Sequence, residues 1–258
     1  MRIARFTTGD DPMYGIVQAK DGREMVYGIT GDPLYTEIRP TGTILPLDDV
    51  RLLAPVIPRS KVVCVGRNYA EHAAELGNEV PEQALFFLKP NTAVIGPGEP
   101  VVLPAYSREV SLEAELAVVI KRMSKELEPA QVRSAILGFT CANDLTARDA
   151  QREENQWLRA KAFDTSCPIG PWIETDLDTS SLSIASSVDG EPAQTGSTAD
   201  MIRSVEQIVS EVSQVMTLLP GDVILTGTPA GVRAVDAGSS MDVTIEGIGT
   251  LTNPVVRR

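Results

Sequence analysis

The sequence predicts an α+β, mainly-β fold with a barrel-like core and helices at its edge. Two observations carry this reading. Most apolar stretches are short and strand-like, and only two longer stretches have a helical period.

Residues 1 to about 58 read as short strands and turns, with "RIARFTT" and "YGIVQA" alternating around "GDDPM". The stretch "ILPLDDVRLLAPVIPRSK" carries three prolines and reads as a transition. A boundary near residue 59 therefore divides a small N-terminal β-rich domain (1–58) from a larger one (59–258). In the larger part, "KVVCVG" (61–66), "ALFFLKP" (84–90), "AELAVVI" (114–120) and "GFTCAND" (138–144) read as strands. So do "SLSIASSVDG" (181–190), "DVILTG" (222–227) and "MDVTIEGIGTLTNPV" (241–255). "EPAQVRSAIL" (128–137) reads as a helix with Val132, Ile136 and Leu137 on one face. "SVEQIVSEVSQVMTL" (204–218) repeats apolar residues at Val205, Ile208, Val209, Val212 and Val215.

Composition narrows the chemistry. A formal charge of −12 over 258 residues argues against a nucleic-acid or anionic-membrane partner. Cys64, Cys141 and Cys167 have no CxxC spacing, which suits a reducing, cytoplasmic setting; no signal peptide or membrane span is read. His72 is the single histidine, so HExxH and other multi-histidine metal sites are excluded. The GxSxG, GxxxxGK[ST] and helix-opening GxGxxG motifs are absent as well. Any metal would need oxygen ligands, which selects Mg²⁺, Mn²⁺ or Ca²⁺ over zinc.

Glu113 and Glu115 lie two apart beside the apolar "LAVVI" and so project to one face. Two like charges about 4 Å apart repel by roughly 1 kcal/mol in water and ~4 kcal/mol at intermediate dielectric. Either that face is solvated or a divalent cation removes the penalty. Asp144 stands where a strand meets a polar turn, as a turn residue or a third oxygen ligand. Lys161 in "RAKAFDTSCPIGP" is a surface lysine or one that approaches a developing oxyanion. "GDVILTGTPAGV" (221–232) is a tight turn or a loop whose N–H groups receive a carboxylate.

"NYAEHAAELG" reads as a short helix capped by Asn68 and Glu71, with Gly77 after its end. Tyr69, Ala73 and Leu76 form its apolar face, with His72 and Glu75 one turn apart at the edge. That pair is either half-exposed or docked over a pocket, and the polar "NEVPEQ" that follows suits a flap.

The segments "GRNYAEHAAELG", "FFLKPNTAVIGPGEPV", "LEAELAVVI", "NDLTARDAQ", "RAKAFDTSCPIGPWI", "GDVILTGTPAGV" and "IEGIGTLTNPV" occur in this order. As an ordered set they resemble the fumarylacetoacetate hydrolase family over about residues 61–256, and residues 1–58 resemble the N-terminal domain of its bacterial members. The resemblance implies a mixed β-roll core and a homodimer. It implies Mg²⁺ or Mn²⁺ on Glu113, Glu115 and Asp144, and catalytic roles for His72, Glu75 and Lys161. It implies substrate contacts from Arg148, Gln151 and Thr228, and more weakly from Arg67 and Lys89. One departure is Arg233, where many members carry glycine.

The expected activity is hydrolysis or decarboxylation of a small 2-oxo acid such as an acylpyruvate or oxaloacetate, through a pyruvate enolate on the metal. His72 with Glu75 would activate a water. The alternatives are a 2-hydroxyhepta-2,4-diene-1,7-dioate isomerase of aromatic catabolism and a non-catalytic cation-binding module.

Overall fold

The computed structural model describes residues 1–77 and 79–257. Strands dominate, as the periodicity predicts, and the fold is α+β and mainly β. One mixed sheet runs through the molecule. Its strands follow the order Pro40–Pro46, Arg23–Ile29, Met13–Lys20, Arg2–Thr7, Cys167–Glu174, Ile136–Asn143, Ala114–Ile120, Val223–Leu225, Val62–Gly66 and Leu85–Lys89. The N-terminal strands thus continue the sheet, with Ile3 paired to Ile173.

A second sheet joins Glu191–Ser197, Ser183–Val188, Ser240–Ile245, Gly249–Arg257 and Val101–Leu103. A third, short sheet joins Thr146–Ala147, Val110–Leu112 and Arg233–Val235. The predicted segment 241–255 is therefore two strands, because "EGIG" turns the chain between Ile245 and Gly249. At the end of segment 181–190, Asp189 (φ 55°) and Gly190 (φ 79°) make the turn into Glu191–Ser197.

Both faces of the Ala114–Ile120 strand are covered, which explains its unbroken apolar run. Leu116, Val118 and Ile120 pack with Ile184, Val243, Ile208 and Val212. Ala117 and Val119 pack on the other side with Val62, Cys64, Val223 and Leu225. Glu115 shares the parity of Ala117 and Val119 and stands at the open end of that second core.

The helix Val205–Val215 starts where its sequence says it should. Ser204 accepts a hydrogen bond from Gln207 N, whose side chain returns to Ser204 N at 2.8 Å. Val205, Ile208, Val209 and Val212 are buried; Val215, in the last turn, is 63% exposed. The helix predicted over 128–137 is much shorter. Only Pro129–Val132 is α-helical, and the chain passes through a 3₁₀ turn at Arg133–Ala135 into a strand starting at Ile136. The spacing of Val132, Ile136 and Leu137 mimics a helix, but pairing of Ile136 with Ile120 overrides it.

Ile208 is fully buried in the larger core. Ile208→Ala is expected to destabilise the protein by about 2–5 kcal/mol. Urea unfolding measures this, and a change under about 1 kcal/mol would mean the helix is not packed as described.

Candidate active site

The chain passes from the third sheet to the large sheet at Glu113, between Val110–Leu112 and Ala114–Ile120. Pairing of Ala114 with Asn143 places Asp144 directly beside that corner. Asn143 Oδ1 accepts from Glu113 N at 2.9 Å, and Glu113 O accepts from Asp144 N at 2.9 Å. Glu115 is reached from a third direction: its Oε2 accepts from Gly227 N at 2.6 Å. Gly227 has φ +98° and lies so near Asn68 that a Cβ would stand 2.7 Å from the Asn68 Cβ. One oxygen each of Glu113, Glu115 and Asp144 lies within 4.8 Å of the others. All three residues are at most 3% exposed, so the solvated-face alternative does not hold.

Cations surround the trio. Lys161 Nζ donates to Glu113 Oε2 at 2.6 Å and to Asp144 Oδ2 at 2.7 Å. It is 3% exposed, so it is not a surface lysine. Arg148 donates from Nη2 to Glu113 Oε1 at 2.5 Å and from Nη1 to Gln151 Oε1 at 3.0 Å. Burial opposes ionisation of Glu113, but Lys161 and Arg148 outweigh it and hold its carboxyl well below the usual range. Glu115 goes the other way: burial, with Asp144 and Glu113 as neighbours, pushes its carboxyl well above the usual range. Burial opposes the Lys161 charge, yet Asp144 and Glu113 raise its affinity for the proton overall.

Lys89 does not stand where the resemblance put it. It is 1% exposed and lies beneath the cleft, bonded to Ser166 O and Oγ at 3.0 Å and to the Lys161 carbonyl. It ends the edge strand Leu85–Lys89 as that strand's one buried residue, and its ammonium reaches the Leu145 and Ser166 carbonyls rather than solvent. Its Nζ forms an ion pair with Asp144 Oδ1 at 2.7 Å, but the two are not aligned as a hydrogen bond, and that buried oxygen has no hydrogen-bond partner among the described residues. An unsatisfied oxygen in a cluster of three buried carboxylates, with thiols and imidazole outside the set, fits a hard divalent cation.

The helix bearing His72 spans Ala70–Glu75. Its expected cap is absent: Tyr69 occupies the N-cap position, and the Asn68 amide instead donates to Arg203 O and Thr226 O. Gly77 does end the helix, with φ +67° and its N–H on Ala74 O at 3.0 Å. Tyr69 and Ala73 face inward, whereas Leu76 is 38% exposed. His72 is 5% exposed, so the half-exposed alternative fails. Its Nδ1 lies 3.2 Å from Glu75 Oε2, and Glu75 Oε1 accepts from Gly231 N at 3.0 Å. Glu75 can only accept, so in the neutral ring Nδ1 carries the proton. The free Nε2 then faces Glu113 Oε1 at 3.9 Å, beyond hydrogen-bond reach.

A cleft of about 490 Å³ opens above the trio. Arg67, His72, Glu75, Arg148, Gln151, Lys161 and Thr228 all line it, as do Glu113, Glu115 and Asp144. Thr228 donates to Ala114 O at 2.8 Å. Arg233 lies outside this lining. The sequence reading missed the walls, Phe87, Trp157 and Arg152, and the support Gln194, which donates to Thr228 Oγ1 and accepts from Ala114 N. None of these has a spacing signal, although an aromatic four residues before the lysine in "WLRAK" is a faint one.

Lys161→Met leaves two buried carboxylates facing each other. Without divalent cation, the variant is expected to lose about 3–5 kcal/mol of stability in urea. An unchanged midpoint would show that Lys161 does not hold the pair.

Comparison with known proteins follows the same lines. Residues 61–256 match the family model "Fumarylacetoacetate (FAA) hydrolase C-terminal", and residues 1–55 match "Rv2993c-like, N-terminal". Human mitochondrial oxaloacetate tautomerase FAHD2A is 42% identical, over 83% of this chain and 72% of that protein. The crystal structure of 2-hydroxyhepta-2,4-diene-1,7-dioate isomerase from Mycobacterium marinum is 47% identical with a TM-score of 0.92, covering 100% of this chain and 99% of that one. Fumarylpyruvate hydrolase from Pseudomonas aeruginosa, solved with Mn²⁺ and pyruvate, is 35% identical with a TM-score of 0.74, covering 81% of this chain and 92% of that one.

Proposed function

The chain belongs to the fumarylacetoacetate hydrolase family, and from that premise we propose a divalent-metal-dependent enzyme that interconverts a small 2-oxo dicarboxylic acid and its enol. The oxaloacetate class is the favoured substrate. The observation that carries this reading is the His72–Glu75 pair held over a buried trio of carboxylates. Glu113, Glu115 and Asp144 would hold Mg²⁺ or Mn²⁺. A cation there supplies Lewis acidity and so lowers the cost of enolate charge.

The chain's own groups do the rest. Glu75 orients the ring through Nδ1 and stabilises it when charged. His72 Nε2 then takes the proton from the carbon next to the 2-oxo group, or returns one to it. Lys161 would place a positive group beside the developing oxyanion. Arg67 is the pocket cation with no carboxylate partner among the described residues: Arg148, Arg152 and Lys161 each have one. Its backbone has φ +59°, an uncommon conformation for arginine, and its guanidinium lies 6.0 Å from the Trp157 ring. Arg67 is thus suited to the second carboxylate. The tautomerase and isomerase named above, at 42% and 47% identity, support enolisation as the reaction.

A second reading is carbon–carbon hydrolysis or decarboxylation through the same enolate. The likeness to fumarylpyruvate hydrolase supports it, because His72 could activate water with the same nitrogen. A homodimer in the cytoplasm completes the proposal; the free thiols of Cys64, Cys141 and Cys167 suit a reducing compartment.

Chelator-stripped protein, reloaded with Mg²⁺ or Mn²⁺, should be offered oxaloacetate, acetylpyruvate, fumarylpyruvate and a heptadienedioate. Metal-dependent turnover of at least one is expected; none, with metal bound, would end the enzymatic reading. His72→Ala should lower kcat by about 10²- to 10⁴-fold. Arg67→Met should raise KM for diacids by tenfold or so and leave acetylpyruvate unaffected, as expected for loss of one charge-assisted hydrogen bond. Equal effects on both substrate types would remove Arg67 from this role.

A further inference from the structure

The segment carrying His72 and Glu75 is the loop of a long hairpin. It leaves the large sheet at Gly66 and rejoins it at Leu85, which pair with each other. The short helix Ala70–Glu75 has no side-chain cap and only two buried residues, His72 and Ala73. Such a helix does not hold its own place. Yet His72 must be held to within a fraction of an ångström for proton transfer.

Both ends of the segment are tied to Arg203, the first through its main chain and the second through its side chain. At the first end, Asn68 Oδ1 accepts from Arg203 N at 2.8 Å, and Asn68 Nδ2 donates to Arg203 O at 3.0 Å. Asn68 O also accepts from Ile202 N at 2.8 Å, and Tyr69 bridges to Met201. At the second end, Arg203 Nη2 donates to Glu82 O at 2.6 Å and to Pro81 O at 3.4 Å. The guanidinium is braced from behind by Glu211, 3.4 Å from Nε, on the well-packed helix Val205–Val215. Its side chain is 12% exposed, although its bond to Glu82 O lies at the surface. A planar guanidinium suits this task because it can serve two carbonyls and a carboxylate at once.

We propose that Arg203 is a positioning residue for the His72–Glu75 pair: it pins both ends of the segment that bears them and sets how often that segment leaves the cleft. Arg203 lines no part of the cleft and touches none of the three acidic residues. The consequence for turnover rests on the role given to His72 above; the consequence for the segment does not.

Hydrogen exchange followed by mass spectrometry, on full-length protein loaded with Mn²⁺, separates the two. In Arg203→Leu the guanidinium bonds to Pro81 and Glu82 are lost while the main-chain bonds to Asn68 remain, so peptides within 79–85 should exchange at least about tenfold faster than in the unsubstituted protein. Peptides from the Ala114–Ile120 strand should not change. Arg203→Lys, which keeps the charge without the fork, should fall between the two. Mn²⁺ affinity should stay within about twofold, while kcat on the best substrate falls tenfold or more. Unchanged exchange in 79–85 overturns the proposal. Faster exchange with unaltered kcat overturns the positioning role. If Arg203→Leu does not fold, Arg203→Gln carries the same comparison. Absence of turnover in the unsubstituted protein would instead be a failure of the functional reading, and the exchange result would still decide whether Arg203 is the anchor.

Discussion

Three carboxylates cannot sit within 4.8 Å of one another in a dry interior unless something opposes their repulsion. At an effective dielectric near 20, each pair about 4 Å apart repels by ~4 kcal/mol. Three buried cations, Lys89, Arg148 and Lys161, offset this, helped by the Gly227 N–H. The remaining strain falls on Glu115, whose proton affinity is raised, and on the poorly bonded Asp144 Oδ1. A divalent cation held by the three carboxylates would relieve both.

The fold delivers these groups from separate parts of the chain. The corner between two sheets supplies Glu113, the next strand end supplies Asp144, and the 227–231 loop reaches Glu115 and Glu75. The hairpin loop brings in His72 from above. The cleft lies at the ends of buried central strands, below a short helix. For the proton transfer proposed above, charged groups held still below a base on a separate segment would be the useful combination.

Much of this was legible in the sequence. The strand character of "AELAVVI" and the shared face of Glu113 and Glu115 follow from period-two spacing, and the helical spacing of His72 and Glu75 from period 3.6. The helix at 128–137 was misread because Ile136 and Leu137 fit a helical face, and only the partner strand reveals their pairing. Asn68 was misread as a cap for the same reason. Its amide is claimed by Arg203 and Thr226, 135 and 158 residues away, which no local pattern records. Lys89, Gln194 and Asn143 act through buried long-range bonds, so their roles needed the register of the sheets. Local chemistry was readable, and the contacts that hold it in place were not.

The central claim is that Glu113, Glu115 and Asp144 together hold one divalent cation. Anomalous diffraction from crystals grown with Mn²⁺ tests it most directly. The expected result is one strong peak in the cleft, within coordination distance of an oxygen of each of the three residues. Full occupancy at another site, or no peak at saturating Mn²⁺, would contradict it.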